Sequence, residues 1–127
     1  MKQELQDKLI KEFHNLFINE RFDGFWVDDS WYNLIHNLSN SINNIISLMP
    51  QDKQLNYYVV QLKEKFHGLR YYMSASTPEI NELISAAEDE SYLICYGCSG
   101  KIEEDFKKAN WTITHCEKCY TIKKLLE

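Results

Sequence analysis

Four cysteines constrain this chain more than any other feature. Cys95-Tyr-Gly-Cys98 and Cys116-Glu-Lys-Cys119 form two matched pairs separated by seventeen residues, and the 127-residue sequence has no other cysteine. A C-x-x-C turn presents two sulfurs to one side of an ion, and two such turns complete a tetrahedron with metal–sulfur distances of about 2.3 Å. The spacing falls in the range of zinc ribbons. Redox use needs only one C-x-x-C on a βαβ scaffold, a pattern absent here. Disulfides belong to exported chains, and the charged start Met1-Lys-Gln-Glu-Leu-Gln-Asp-Lys8 contains no apolar signal core. The expectation is therefore a structural Zn2+ on Cys95, Cys98, Cys116 and Cys119. Gly97 and Gly100 help the first turn tighten, and Lys101 and Lys118 offset surplus negative charge.

Four thiolates leave no open position for water, so the metal reads as a staple rather than a catalyst. His115, beside Cys116, is an alternative ligand that four thiols make unnecessary. The H-x-E and P-C-x-x-C elements of zinc nucleobase deaminases are both missing. So are the phosphate-loop, dinucleotide and G-x-S-x-G signatures. Asp28, Asp29 and His36 form the one conceivable carboxylate–histidine group, and it reads first as a helix cap with a histidine on a polar edge. No small-molecule substrate is expected.

The rest of the chain supplies a core. Hydrophobic residues make up 44% and aromatics 13%, enough to fold one domain of this length. No run of eighteen apolar residues occurs, so no transmembrane helix is expected and a cytoplasmic location is the default. The net charge of −5 divides as −3, −3 and +1 over residues 1–50, 51–100 and 101–127, which offers phosphate no global attraction. Nucleic-acid binding must be local.

Leu5, Leu9, Phe13, Leu16 and Phe17 recur at helical spacing and predict one helix over 3–20. After a turn at Gly24, Asp29 or Ser30 is expected to cap a second helix. Its stripe is Trp31, Leu34, Ile35, Leu38, Ile42, Ile45, Ile46 and Met49, its opposite face is Asn and Ser, and Pro50 ends it. β-branched and aromatic residues over 55–74, interrupted near Gly68, predict a hairpin. Thr77-Pro78, or Ser76 with Glu79, starts a third helix carrying Ile80, Leu83, Ile84 and Ala87. Trp111 to His115 alternates like a strand, and Tyr120 to Glu127 suggests a last helical turn packed by Ile122, Leu125 and Leu126. The fold class is α+β: amphipathic helices on a β-hairpin or small antiparallel sheet over 1–92, then a four-cysteine zinc ribbon over 93–127 packed on that core.

Around the hairpin, Lys63, Lys65 and Arg70 cluster with Tyr71 and Tyr72, a mixture of cations and rings that can hold a single strand by phosphate contact and base stacking. Solvated charges on a strand pair are the simpler reading. The stretch Lys63-Glu-Lys-Phe-His-Gly-Leu-Arg-Tyr-Tyr72 also carries a resemblance. Together with Asp29-Ser-Trp-Tyr-Asn-Leu-Ile35, Thr77-Pro-Glu79 and the cysteine knuckle, it resembles a family of small uncharacterised phage and prophage proteins with a K-E-K-F-G-G-L-R-F-Y strand region. The resemblance covers residues 24–119, with His67 in place of a glycine. It implies a phage or mobile-element origin, and it carries over no activity.

The functional expectation is a non-enzymatic, zinc-stabilised protein that engages a host protein or ribonucleoprotein complex in the bacterial cytoplasm. Inhibition of a host defence nuclease, in the manner of an anti-CRISPR protein, is the narrower form. The alternative is a nucleic-acid-binding ribbon for RNA or single-stranded DNA, with Lys63, Lys65 and Arg70 joined by Lys101, Lys107, Lys108 and Lys118.

Overall fold

The computed structural model describes residues 1–127 as a mixed α+β protein. Helix α1 (Gln3–Glu12) and the single turn α2 (His14–Phe17) break at Phe13, whose φ of −118° and ψ of 48° leave the helical region. The sequence pattern predicts one continuous helix here. The break lets Leu16 and Phe17 turn toward Phe22 and Phe25, with ring centroids 5.0–5.3 Å from Phe17.

Strand β1 (Phe25–Trp26) is followed by a 3-10 turn at Asp29–Trp31, α3 (Tyr32–Ser47), the short α4 (Gln51–Gln54), β2 (Val59–Lys65), β3 (Gly68–Met73) and α5 (Pro78–Ser91). Asp28, rather than Asp29 or Ser30, makes the cap: its Oδ2 accepts the Ser30 N–H at 2.9 Å. Asp29 instead accepts the Lys2 N–H at 2.7 Å. Thr77 caps α5 as expected, accepting from Ile80 N, with Pro78 in the first turn.

The sheet has three strands in the order β1-β2-β3. β2 and β3 form the antiparallel hairpin, while β1 adds in parallel through Phe25↔Leu62 and Trp26↔Lys63, so the sheet is mixed. Two residues carry too little pattern to announce a strand, and β1 is invisible in the sequence for that reason. Across the sheet, Phe25, Leu62 and Tyr71 stand in one row and are all buried. Against this row packs α3 through Ile35, Leu38, Ile42 and Ile46. Tyr71 and Ser39 close the contact with a buried hydrogen bond of 2.9 Å, so one serine of the Asn/Ser face is interior. Tyr71 is thus a core residue and not the surface ligand-binding group the sequence suggests. Burial pushes its hydroxyl well above the ordinary tyrosine range, with the Ser39 hydrogen bond opposing.

The hairpin turns at Phe66 (φ 53°) and His67 (φ 67°), both left-handed, and not at Gly68. His67 therefore adopts a left-handed backbone that favours glycine. Gly68 serves another purpose: a Cβ there would overlap the Tyr92 ring. Trp31 is completely buried, and burying an indole contributes roughly 4–6 kcal/mol before entropy is subtracted. Helices α6 (Glu104–Ala109) and α7 (Glu117–Leu125) complete the chain. No helix is long and apolar enough to cross a membrane.

The turn makes two opposed predictions. His67→Gly removes a left-handed side chain, worth about 1–2 kcal/mol, at some cost in glycine entropy, so a net gain of about 0.5–1 kcal/mol is expected. Gly68→Ala displaces Tyr92 and should destabilise by about 1–3 kcal/mol. Urea unfolding of both variants measures the signs.

Candidate metal centre

The cysteine pairs are brought together by two different local structures. In the first, Ser99 takes a left-handed φ of 62°, and its N–H reaches the Cys95 carbonyl at 2.9 Å. Cys95 N donates to the Gly100 carbonyl at 2.7 Å, and Ile94 bridges to Lys101. The second pair occupies the start of α7: Cys116 is its N-cap residue, and Cys119 lies one turn on. Tyr96 N donates to the Thr114 carbonyl at 2.7 Å and holds the two halves in register.

All four Sγ atoms lie within 4.8 Å of one another, and no disulfide joins them. A tetrahedron with bonds of about 2.3 Å has edges of about 3.8 Å, and the Cys98–Cys116 Sγ separation is 3.9 Å. Gly97 makes the approach feasible: a Cβ there would sit 3.1 Å from both Cβ and Sγ of Cys119. Gly100 plays the same part for Cys98, whose Sγ would be 3.2 Å from an added Cβ. Both glycines are where the sequence places them for tightness. His115 is outside the cluster, with Nδ1 at 3.0 Å from Thr114 Oγ1.

The electrostatics favour a cation. Burial acts against ionisation of Cys95, but backbone N–H groups, including those of Cys98 and Gly97, outweigh it and bring the thiol down to about 7. Gly97 N and Cys98 N stand 3.2 and 3.4 Å from its sulfur. Cys119 goes the other way, pushed up to about 12 by its hydrogen bond with Cys116, then by burial and by Cys95 and Cys98. Successive thiolates oppose one another in so small a space, and a dication at the centre removes that conflict. The four residues therefore fit a structural metal ion.

Around the cluster Ile102 is the one apolar residue that joins Cys95 and Cys116 in being buried, with Phe106, Ile113 and Cys119 packed on them. The larger core of eighteen residues lies wholly within positions 9–87. Ile94 and Tyr96 connect the two, and Tyr96 meets the Trp31 ring edge-on at 5.9 Å.

The C-terminal lysines and the Asp28, Asp29 and His36 group are dispersed. Lys107 is buried, with Nζ donating to the Ile113 carbonyl and burial holding its pKa below the usual lysine value. It is a strut between α6 and the loop before α7, not a phosphate contact. Lys101 is exposed and lies 3.7 Å from Glu104, and Lys118 is exposed on α7. Trp111 to His115 forms turns rather than a strand, organised by Asn110 Oδ1 accepting from Thr112 N and Oγ1. The tail residues Ile122, Leu125 and Leu126 are exposed rather than packed. Helix α6 escaped the sequence pattern because Phe106 is its only large apolar residue. His36 contacts Glu12 at 2.7 Å, so Asp28, Asp29 and His36 each have a separate partner.

Cys116→Ser should expose the amides of residues 93–119 to hydrogen exchange while those of α3, β2 and β3 stay protected. Equal loss of protection in both regions would contradict this division of the core. Among known proteins, no family model, no curated protein and no solved structure matches the chain.

Proposed function

We propose that this chain is a zinc-stapled docking module that acts without catalysis and engages a host protein or ribonucleoprotein complex. The observation that carries the reading is the closed set of four converging thiols. Tetrahedral sulfur selects zinc or iron, and a zinc ion with four protein ligands has no position left for a substrate or activated water. The ion's chemistry here is to hold residues 95–119 in shape. Cys95, Cys98, Cys116 and Cys119 supply the charge, and the amides of Gly97, Cys98 and Gly100 donate toward the sulfurs.

Supporting this is the state of the groups that would otherwise serve an enzyme. Asp28 caps a helical turn, Asp29 receives the Lys2 amide and His36 pairs with Glu12. Such engagements are what structural roles require. The resemblance to small phage and prophage proteins supports a bacterial host as the setting; inhibition of a defence nuclease of the CRISPR type is the narrower form of the proposal. In the alternative, a nucleic-acid-binding ribbon using Lys63, Lys65 and Arg70 together with the C-terminal lysines, the C-terminal part is weakened by the burial of Lys107 and the pairing of Lys101 with Glu104.

Two measurements test the proposal. Elemental analysis of purified protein should return one zinc per chain and no visible absorption, whereas iron would colour the sample. Expression in a bacterium with an active nuclease defence should restore plaque formation by the targeted phage, and Cys116→Ser should abolish the effect. Undiminished restriction by the defence nucleases tested would remove the inhibitor reading.

A further inference from the structure

The row of the sheet next to the buried one is Trp26, Lys63 and Arg70. Strand alternation turns it to the opposite side from Phe25, Leu62 and Tyr71, away from α3. Tyr72 lies two positions from Arg70 on the same strand, so it shares this outer face, as does Lys65 at the end of β2. Trp26 is 66% exposed, and Tyr72 is 45% exposed. At the hairpin tip Phe66 is 77% exposed in a left-handed backbone, a costly conformation for a residue with a ring. Its ring lies 5.8 Å from the Lys65 ammonium.

Three open aromatic rings interleaved with cations on one sheet are unusual in a protein of charge −5. Lys63 and Lys65 have no carboxylate within ion-pair distance, unlike Arg70, which meets Glu88 at 3.1 Å and Tyr92 Oη at 3.4 Å. Glu64 belongs to the inward register opposite Leu69, and its Oε1 accepts the His67 N–H. Asp23 and Asp28 flank β1, with Asp28 and Glu64 lining the cavity beside Trp26, and the Asp23 carbonyl oxygen orients the Trp26 ring by accepting from Nε1 at 2.8 Å. Trp26 is thereby fixed with its indole N–H already satisfied.

We infer that this outer sheet face, formed by Trp26, Lys63, Lys65, Phe66, Arg70 and Tyr72, binds single-stranded nucleic acid. Bases stack on the rings, and the two free lysines meet phosphates. Flat rings standing on a sheet accept any base through its π-face, and ammonium groups beside them meet phosphates without reading sequence. A duplex keeps its bases stacked on each other and is excluded from the rings. The inference rests on the docking reading above and names the chemistry of its partner.

Fluorescence anisotropy with labelled single strands of about 12 nucleotides, RNA and DNA in separate arms and a duplex as control, tests it. At about 50 mM salt, dissociation constants on the order of 1–100 μM are expected, with log K falling against log salt at a slope of roughly −1.5 to −2 for two or three phosphates. Trp26→Ala should weaken binding about 5- to 150-fold, and Trp26→Phe should retain most of it. The double variant Lys63→Ala/Lys65→Ala should flatten the salt slope by roughly 1.4. In a Trp111→Phe background, the strand should quench the emission of Trp26. Trp26 and Lys65 are exposed and Lys63 is half-buried without an ion pair, so circular dichroism and bound metal should match the parent chain. Absence of binding on the order of 100 μM overturns the inference. So does equal affinity for the duplex, or indifference to Trp26→Ala. A folded, metal-loaded chain that binds no strand overturns this inference and leaves the docking reading intact.

Discussion

Helix α3 carries its large apolar residues on one stripe, and that stripe has to meet an apolar surface or remain in water. The surface is the row Phe25, Leu62 and Tyr71, assembled from the β2–β3 hairpin and from β1, which is distant from it in sequence. Strand side chains alternate with a period of two, so putting this row inside places Trp26, Lys63 and Arg70 outside. A slip of one residue would bury a lysine and an arginine beneath α3 and expose the core. The pairing that satisfies the hydrophobic effect therefore also creates the open aromatic and basic face, with no separate design for it.

The cysteine cluster solves a different problem. Residues 95–119 hold few apolar side chains, and their small buried group is insufficient to order so many residues of backbone. The four sulfurs converge in the geometry a metal ion would tie together, and glycine at 97 and 100 permits it sterically. The cluster is nevertheless joined to the main core. Tyr96, inside the first C-x-x-C, rests on Trp31, and Leu69 N donates to Ser91 Oγ at the end of α5 just before the knuckle. Arg70 links to Glu88 on the same helix. The C-terminal end of α5 is thus the mechanical connection between sheet and metal centre.

Much of the architecture was legible. Long periodic stripes identify α3 and α5, the Thr77-Pro78 start is where the pattern puts it, and the cysteine spacing alone names the four sulfurs that converge. Short or sparsely apolar elements were not legible. β1 has two residues, α6 has Phe106 alone, and the break at Phe13 interrupts an otherwise faultless helical period. The tail after Cys119 has an apolar pattern that finds nothing to pack against. Tyr71 illustrates the limit best: its neighbour Tyr72 is chemically the same, yet one is core and the other surface.

Sequence by itself determined the α+β class, the principal helices, the hairpin and the four cysteines that converge, because these follow from periodicity and from ligand chemistry that operate over a few residues. Tertiary structure alone decided which tyrosine is buried, which lysines remain unpaired, that Lys107 is a strut, and that Trp26 joins the hairpin cations on one face. Those outcomes depend on strand register and on contacts between segments far apart in the chain. Alternation specifies two faces, and only packing against α3 selects which of them meets solvent.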